Sequence, residues 1–108
     1  NIHPSLLPKY PGLNTHEQVL KNNDSIHGIS IHYVSSELDG GPLIAQGEIK
    51  IANVGIDILI ERIHKLEHEL YPEIIKYICD DKIFIDKDRV IFNDLNPSGK
   101  FIYKKYEI

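Results

Sequence analysis

Apolar positions along this chain follow recognisable periods, and each period predicts an element. HGISIHYV, from His27, alternates: Ile29, Ile31 and Tyr33 point one way, Ser30 and His32 the other, which is the two-residue period of a strand. SSELDGGP then breaks the pattern with two glycines and a proline. PLIAQGEIKIA resumes extended structure, with Gly47 marking a bulge or a close backbone approach. These two strands are close enough in sequence to pair antiparallel. Over residues 54–79, Leu59, Ile63, Leu66 and Leu70 keep the spacing of one buried helical stripe. Glu61 and Lys65 stand one turn apart on its wet side. Pro72 predicts a kink or break near Tyr71. KIFIDKDRVIFN reads as a hairpin turning at Asp86–Asp88.

Ahead of the first strand, residues 1–13 should be extended or turn-rich, because Pro4, Pro8 and Pro11 fix φ and push their predecessors out of helical geometry. Thr15 is the expected N-cap of a short helix over 16–22, closed by Asn22-Asn23-Asp24-Ser25. The order is therefore loop, helix, strand, strand, long helix, hairpin. By content this is an α/β chain with antiparallel strands.

At 108 residues and 42% hydrophobic there is material for one small domain and no second. The net charge of −4 is scattered, without a basic stripe for nucleic acid or an anionic membrane surface. No apolar run approaches the length of a spanning helix. One cysteine, Cys79, leaves no intramolecular disulfide and suits a reducing, cytoplasmic setting. Methionine is absent and the first residue is Asn. The expectation is the distal part of something longer, with apolar surface that another half would cover.

The chemistry begins at NIHP. In extended backbone Asn1 and His3 share a face, placing an amide donor beside an imidazole that titrates near neutral pH. That combination suits acyl transfer, the amide steadying an oxyanion while the imidazole handles the proton. Equally, both side chains could simply satisfy loop backbone. ELDGGP, residues 37–42, puts a carboxylate before two glycines, a loop that can approach a ligand closely or merely turn between strands. A carboxylate beside His3 would favour the protonated ring, so Asp39 is the useful partner, although spacing alone does not bring them together. His64-Lys65-Leu66-Glu67-His68 matches H-x-x-E-H, a zinc-peptidase pattern. It lacks a third ligand, and a solvated histidine pair explains it as well.

Taken in order, NIHPSLLPKYPGLNTHEQVL, HGISIHYV, ELDGGPLIAQ and EHELYP closely resemble the phosphoribosylglycinamide formyltransferases of purine biosynthesis, within the folate-dependent formyltransferases. The likeness covers nearly all of residues 1–78 and corresponds to the C-terminal half of those enzymes. Pro11-Gly12-Leu13 separates the chain from methionyl-tRNA formyltransferases. HPSLLPKYPG separates it from formyltetrahydrofolate hydrolases, the alternative enzyme; a non-catalytic folate-binding fragment is the alternative outside enzymology.

The resemblance implies the C-terminal part of a Rossmann-like fold. Residues 1–108 would be its catalytic and folate-binding half, the nucleotide-binding half lying elsewhere in the same or another chain. It implies transfer of a formyl group from 10-formyltetrahydrofolate, as co-substrate and without a metal, to the amine of glycinamide ribonucleotide. Asn1, His3 and Asp39 then fall on the catalytic positions. Ser35, Ser36, Glu37, Leu38 and Asp39 form the pterin-binding loop. Pro4 and Glu67 bind the acceptor substrate, Glu67 through ribose hydroxyls, and His32 supports the site. A homodimer is compatible with this reading, and the piece alone is expected to turn over negligibly.

Overall fold

Eight elements follow one another in the computed structural model, which describes residues 1–108. They are β1 (Ile2–His3), α1 (Thr15–Lys21), β2 (Ile26–His32), β3 (Leu43–Lys50), α2 (Ile56–Cys79), β4 (Ile83–Asp86), β5 (Arg89–Phe92) and β6 (Ile102–Tyr106). The main sheet runs β1-β2-β3-β6, and β4 and β5 form a separate hairpin. β1 and β3 flank β2 antiparallel, with Ile2 opposite Ile31 and Ser30 opposite Gln46. β6 lies parallel to β3. A parallel neighbour needs a long return path, and α2 with the hairpin supplies it.

The stripe expected on the long helix is the one buried: Leu59, Ile63, Leu66 and Leu70, extended by Ile74, are completely enclosed. They meet Ile29, Ile31, Ala45 and Ile49 of the sheet in a single cluster. Gly47 is where this contact is tightest. A Cβ there would stand 3.0 Å from Leu66 Cδ1 and 3.1 Å from Leu70 Cδ2, so glycine serves the close approach of α2. The bulge lies elsewhere, as a register shift between Ile31 and His32. It ends β2 before Tyr33, whose side chain still packs against the same core as Ile29 and Ile31.

Local expectations differ from the structure at three further points. Thr15 is the first residue of α1 and buried, while Asn14, left-handed at φ 61°, occupies the N-cap without a side-chain capping bond. α2 runs unbroken through Pro72. Pro72 is exposed, so the carbonyl that its missing N–H leaves free lies on the solvent side of the helix. β6 was not foreseen. Its alternation, with Ile102, Lys104 and Tyr106 half-buried and Tyr103 and Lys105 exposed, is diluted by lysines. It is tied down from both sides, Lys104 Nζ reaching Glu73 at 2.7 and 2.8 Å and the Tyr103 hydroxyl donating to Glu48. The β4–β5 hairpin turns at Lys87 and Asp88, both at positive φ (49° and 64°), as a two-residue primed turn requires.

The sheet's polar residues have a purpose. Ser30, fully buried, donates to the Ser5 carbonyl at 2.7 Å and accepts from Leu7 N–H at 3.0 Å and Gln46 Nε2 at 2.9 Å. That exhausts the capacity of a hydroxyl. Gln46 Nε2 also donates to the Leu7 carbonyl at 2.8 Å. The irregular stretch after β1 is thus bolted to the middle of β2 and β3, which fixes where His3 can stand.

Candidate functional site

His3 is buried at the end of β1, and its ring is held from two sides. Nε2 donates to the Tyr10 carbonyl at 2.8 Å, while Nδ1 stands 3.3 Å from Asp39 Oδ2. Both neighbours are acceptors and a neutral imidazole carries only one N–H. The pair of contacts is therefore met in full only by the imidazolium. Asp39 reaches the ring from the loop between β2 and β3, at φ 51°, a left-handed conformation that Asp tolerates better than most side chains. Its Oδ2 also accepts from Gly12 N–H at 2.9 Å, and its Oδ1 faces His32 Nε2 at 3.8 Å. His32 donates from Nδ1 to the Tyr33 carbonyl at 2.8 Å, and its Nε2 is buried without a hydrogen-bond partner. One carboxylate thus sits between two imidazoles.

Asn1 precedes β1, with its backbone nitrogen donating to the His32 carbonyl at 2.7 Å and its own carbonyl accepting from His32 N–H at 2.9 Å. The residue is exposed. Ser35, Ser36, Glu37 and Leu38 are exposed in the loop that delivers Asp39. Ser35 Oγ accepts from Glu37 N–H at 3.2 Å, bending the loop on itself. His3 and Pro4 face a cleft of about 380 Å³ whose other walls include Gly12, Leu13, Ile56 and Ile60. Leu13, on the wall of this cleft, exposes 85% of its surface, and Val34 and Leu38, in the loop that carries Asp39, expose 77% and 76%.

Glu67 is not among the groups converging on His3. It is half-buried on α2, seven residues beyond Ile60 and so about 10 Å further along the same side of the helix. His64 and His68 are exposed, and no group of three or more His, Cys, Asp or Glu side chains is arranged to hold a metal ion.

Three contributors escape a reading of the sequence. The Tyr10 carbonyl and the Gly12 N–H are main-chain groups, aimed by positive φ at Tyr10 (51°) and Gly12 (86°). Only the YPG punctuation hints at them. The third is a pair of rings, His16, which lines the same cleft as His3, meeting His27 Nε2 through its Nδ1 at 3.0 Å, edge to face. Burial, then the charge of His16, pushes His27 down to about 4, against a smaller opposing pull from Asp24. Burial, then His64, lowers His16. At neutral pH both rings are uncharged, so one can donate to the other.

The likeness to known proteins follows this layout. Residues 1–75 match the formyl transferase family. Phosphoribosylglycinamide formyltransferase of Escherichia coli is 49% identical over 84 residues, covering 77% of this chain and 40% of that protein. The Bacillus subtilis protein of the same name is 44% identical over 79 residues, covering 72% and 40%. This chain therefore spans about 40% of the length of these relatives. Among solved structures, the phosphoribosylglycinamide formyltransferase of Coxiella burnetii superposes with a TM-score of 0.85 at 42% identity, over 98% of this chain and 50% of its own. That of Anaplasma phagocytophilum gives 0.87 at 38%, over 99% and 52%. A formyltetrahydrofolate deformylase from Pseudomonas syringae, at 24% identity and a TM-score of 0.81, shares the fold. A family match over residues 1–75, which hold the His3, His32 and Asp39 cluster, places this chain in the formyl transferase family.

Proposed function

We propose that this chain supplies the formyl-transfer site of an enzyme that moves the formyl group of 10-formyltetrahydrofolate to the amine of glycinamide ribonucleotide. The observation that carries the reading is the approach of Asp39 to within 3.3 Å of the His3 ring at the wall of a cleft, across 36 positions of sequence. The amine attacks the formyl carbon, forming a C–N bond and a tetrahedral centre with a negative oxygen. Asn1 donates to that oxygen, and His3 joins it by turning to it the Nδ1–H that makes only a long, 3.3 Å contact with Asp39, an interaction worth a few kcal/mol per donor in a water-poor site. Collapse expels the folate nitrogen, which takes up the proton the amine loses, with Asp39 and a water carrying it. Asp39 also faces Nδ1 of His3 and so orients the ring, and His32 stands 3.8 Å from the far carboxylate oxygen.

The pterin lies against the loop Ser35, Ser36, Glu37, Leu38 and Asp39, whose backbone groups meet its polar edge. Pro4 lines the acceptor side, and Glu67 receives the ribose hydroxyls further along α2. No metal has a part in this scheme. The test is formyl transfer in the enzyme that carries this chain. His3→Ala should lower kcat by at least about 100-fold with the melting temperature nearly unchanged. Near-parental turnover would remove the proposed role. Formyl release at the same rate with and without the amine would instead make the enzyme a hydrolase.

A further inference from the structure

Tyr10 faces two ways. Its carbonyl accepts from His3 Nε2 at 2.8 Å, while its side chain runs to the turn that closes α1. There the hydroxyl donates to Asp24 Oδ2 at 2.7 Å and accepts from Asn22 Nδ2 at 3.0 Å. The backbone is held on either side of Tyr10: Lys9 N–H donates to the Leu6 carbonyl at 3.1 Å, the Lys9 carbonyl accepts from Ser5 Oγ at 2.6 Å, and Gly12 N–H donates to Asp39. At Tyr10 itself the side chain supplies the tie. Tyr10 stands at φ 51°, which an aromatic residue adopts only when its surroundings compel it. Pro8 and Pro11 on either side bring no backbone N–H to hold the segment.

The receiving end is well fixed. Asn22 caps α1, and Asp24 N–H donates to the Val19 carbonyl at 3.1 Å, Val19 being a core residue. Asp24 raises the Tyr10 phenol above its ordinary value, so the hydroxyl remains a donor. A hydrogen bond to a carboxylate is among the stronger kind.

We propose that Asp24, acting through the Tyr10 hydroxyl, is a positioning residue for His3: it holds the Tyr10 carbonyl against Nε2 and so keeps Nδ1 facing Asp39. This inference rests on the reading of His3 as the proton-handling group. The latch links the end of α1 to the ring across a segment that carries no regular secondary structure. Its members, Tyr10, Asn22 and Asp24, lie outside the cleft wall formed by His3, Pro4 and Ile60.

The test reads the ring directly. Nuclear magnetic resonance of this chain at pH 7 follows exchange of the His3 Nε2 proton with water. Tyr10→Phe, which keeps the ring and removes only the hydroxyl, should speed that exchange by about tenfold or more, and Asp24→Ala should do the same. Asp24→Asn, whose amide oxygen still accepts, should stay within about twofold of the parent. Exchange unchanged in Tyr10→Phe overturns the latch, and that variant decides the matter should Asp24→Ala fail to fold. In the enzyme that carries this chain, Tyr10→Phe should lower kcat about tenfold with KM nearly unchanged. Fast exchange with normal kcat would leave the latch standing and remove His3 from the chemistry instead.

Discussion

At the scale of single residues, the site is built from groups that are each ordinary and gain their meaning from a neighbour. Asp39 accepts from Gly12 N–H and faces both His3 and His32, so its charge is what the two rings have in common. Asp39→Asn keeps the shape and removes the charge. We expect kcat to fall by about 100-fold in the formyl-transfer assay while the fold is retained. Ser30 illustrates the complementary case, a polar residue whose work is structural. Ser30→Ala leaves Leu7 N–H buried without its acceptor and strips one partner each from Ser5 and Gln46. Equilibrium urea unfolding should show a loss of about 1–3 kcal/mol.

At the scale of elements, two contacts differ in kind. The face of α2 against the sheet is made of residues fully withdrawn from water. Leu66→Ala should therefore cost about 2–5 kcal/mol, read from the shift of the unfolding midpoint at constant slope. The contact of α1 with β2 runs through His16 and His27 and is sensitive to acid. His27 titrates at about 4 in the fold and at 6.5 when free. The unfolded chain thus binds a proton that the folded chain refuses between those values. Stability from this residue is complete above pH 6.5, declines as the pH falls, and is gone below about 4. Unfolding free energies at pH 7.5 and 4.5 should differ less in His27→Gln than in the parent. An equal difference in both would remove His27 as the source.

At the scale of the whole molecule, the sheet is the frame that gathers pieces far apart in sequence. β1 and the Asp39 loop meet because β2 lies between β1 and β3, so that His32, at its end, adjoins both Asn1 and the turn carrying Asp39. β6 completes the sheet from the far end of the chain, parallel to β3 and tied to α2 through Lys104 and Glu73. Lys104→Ala removes that tie. Because the pair is partly exposed, the expected loss is small, about 0.5–1 kcal/mol by urea unfolding.

The sequence alone determined the elements whose signal is local: the two antiparallel strands, the long helix with its buried stripe, and the hairpin. It also determined the supply of an amide, an imidazole and a carboxylate, and the order of motifs that betrays the family. It did not determine which of these groups touch. His3 and Asp39 meet through strand register and a bulge, the Tyr10 carbonyl and Gly12 N–H arrive through positive φ angles, and the His16–His27 pair forms only when α1 packs on β2. β6 was hidden because an edge strand rich in lysine carries little periodic contrast, and its parallel place depends on where α2 returns the chain. Periodicity is a property of neighbours along the polymer, whereas convergence depends on how irregular segments are held against a finished core. That is why the tertiary structure, and no spacing rule, decided the site.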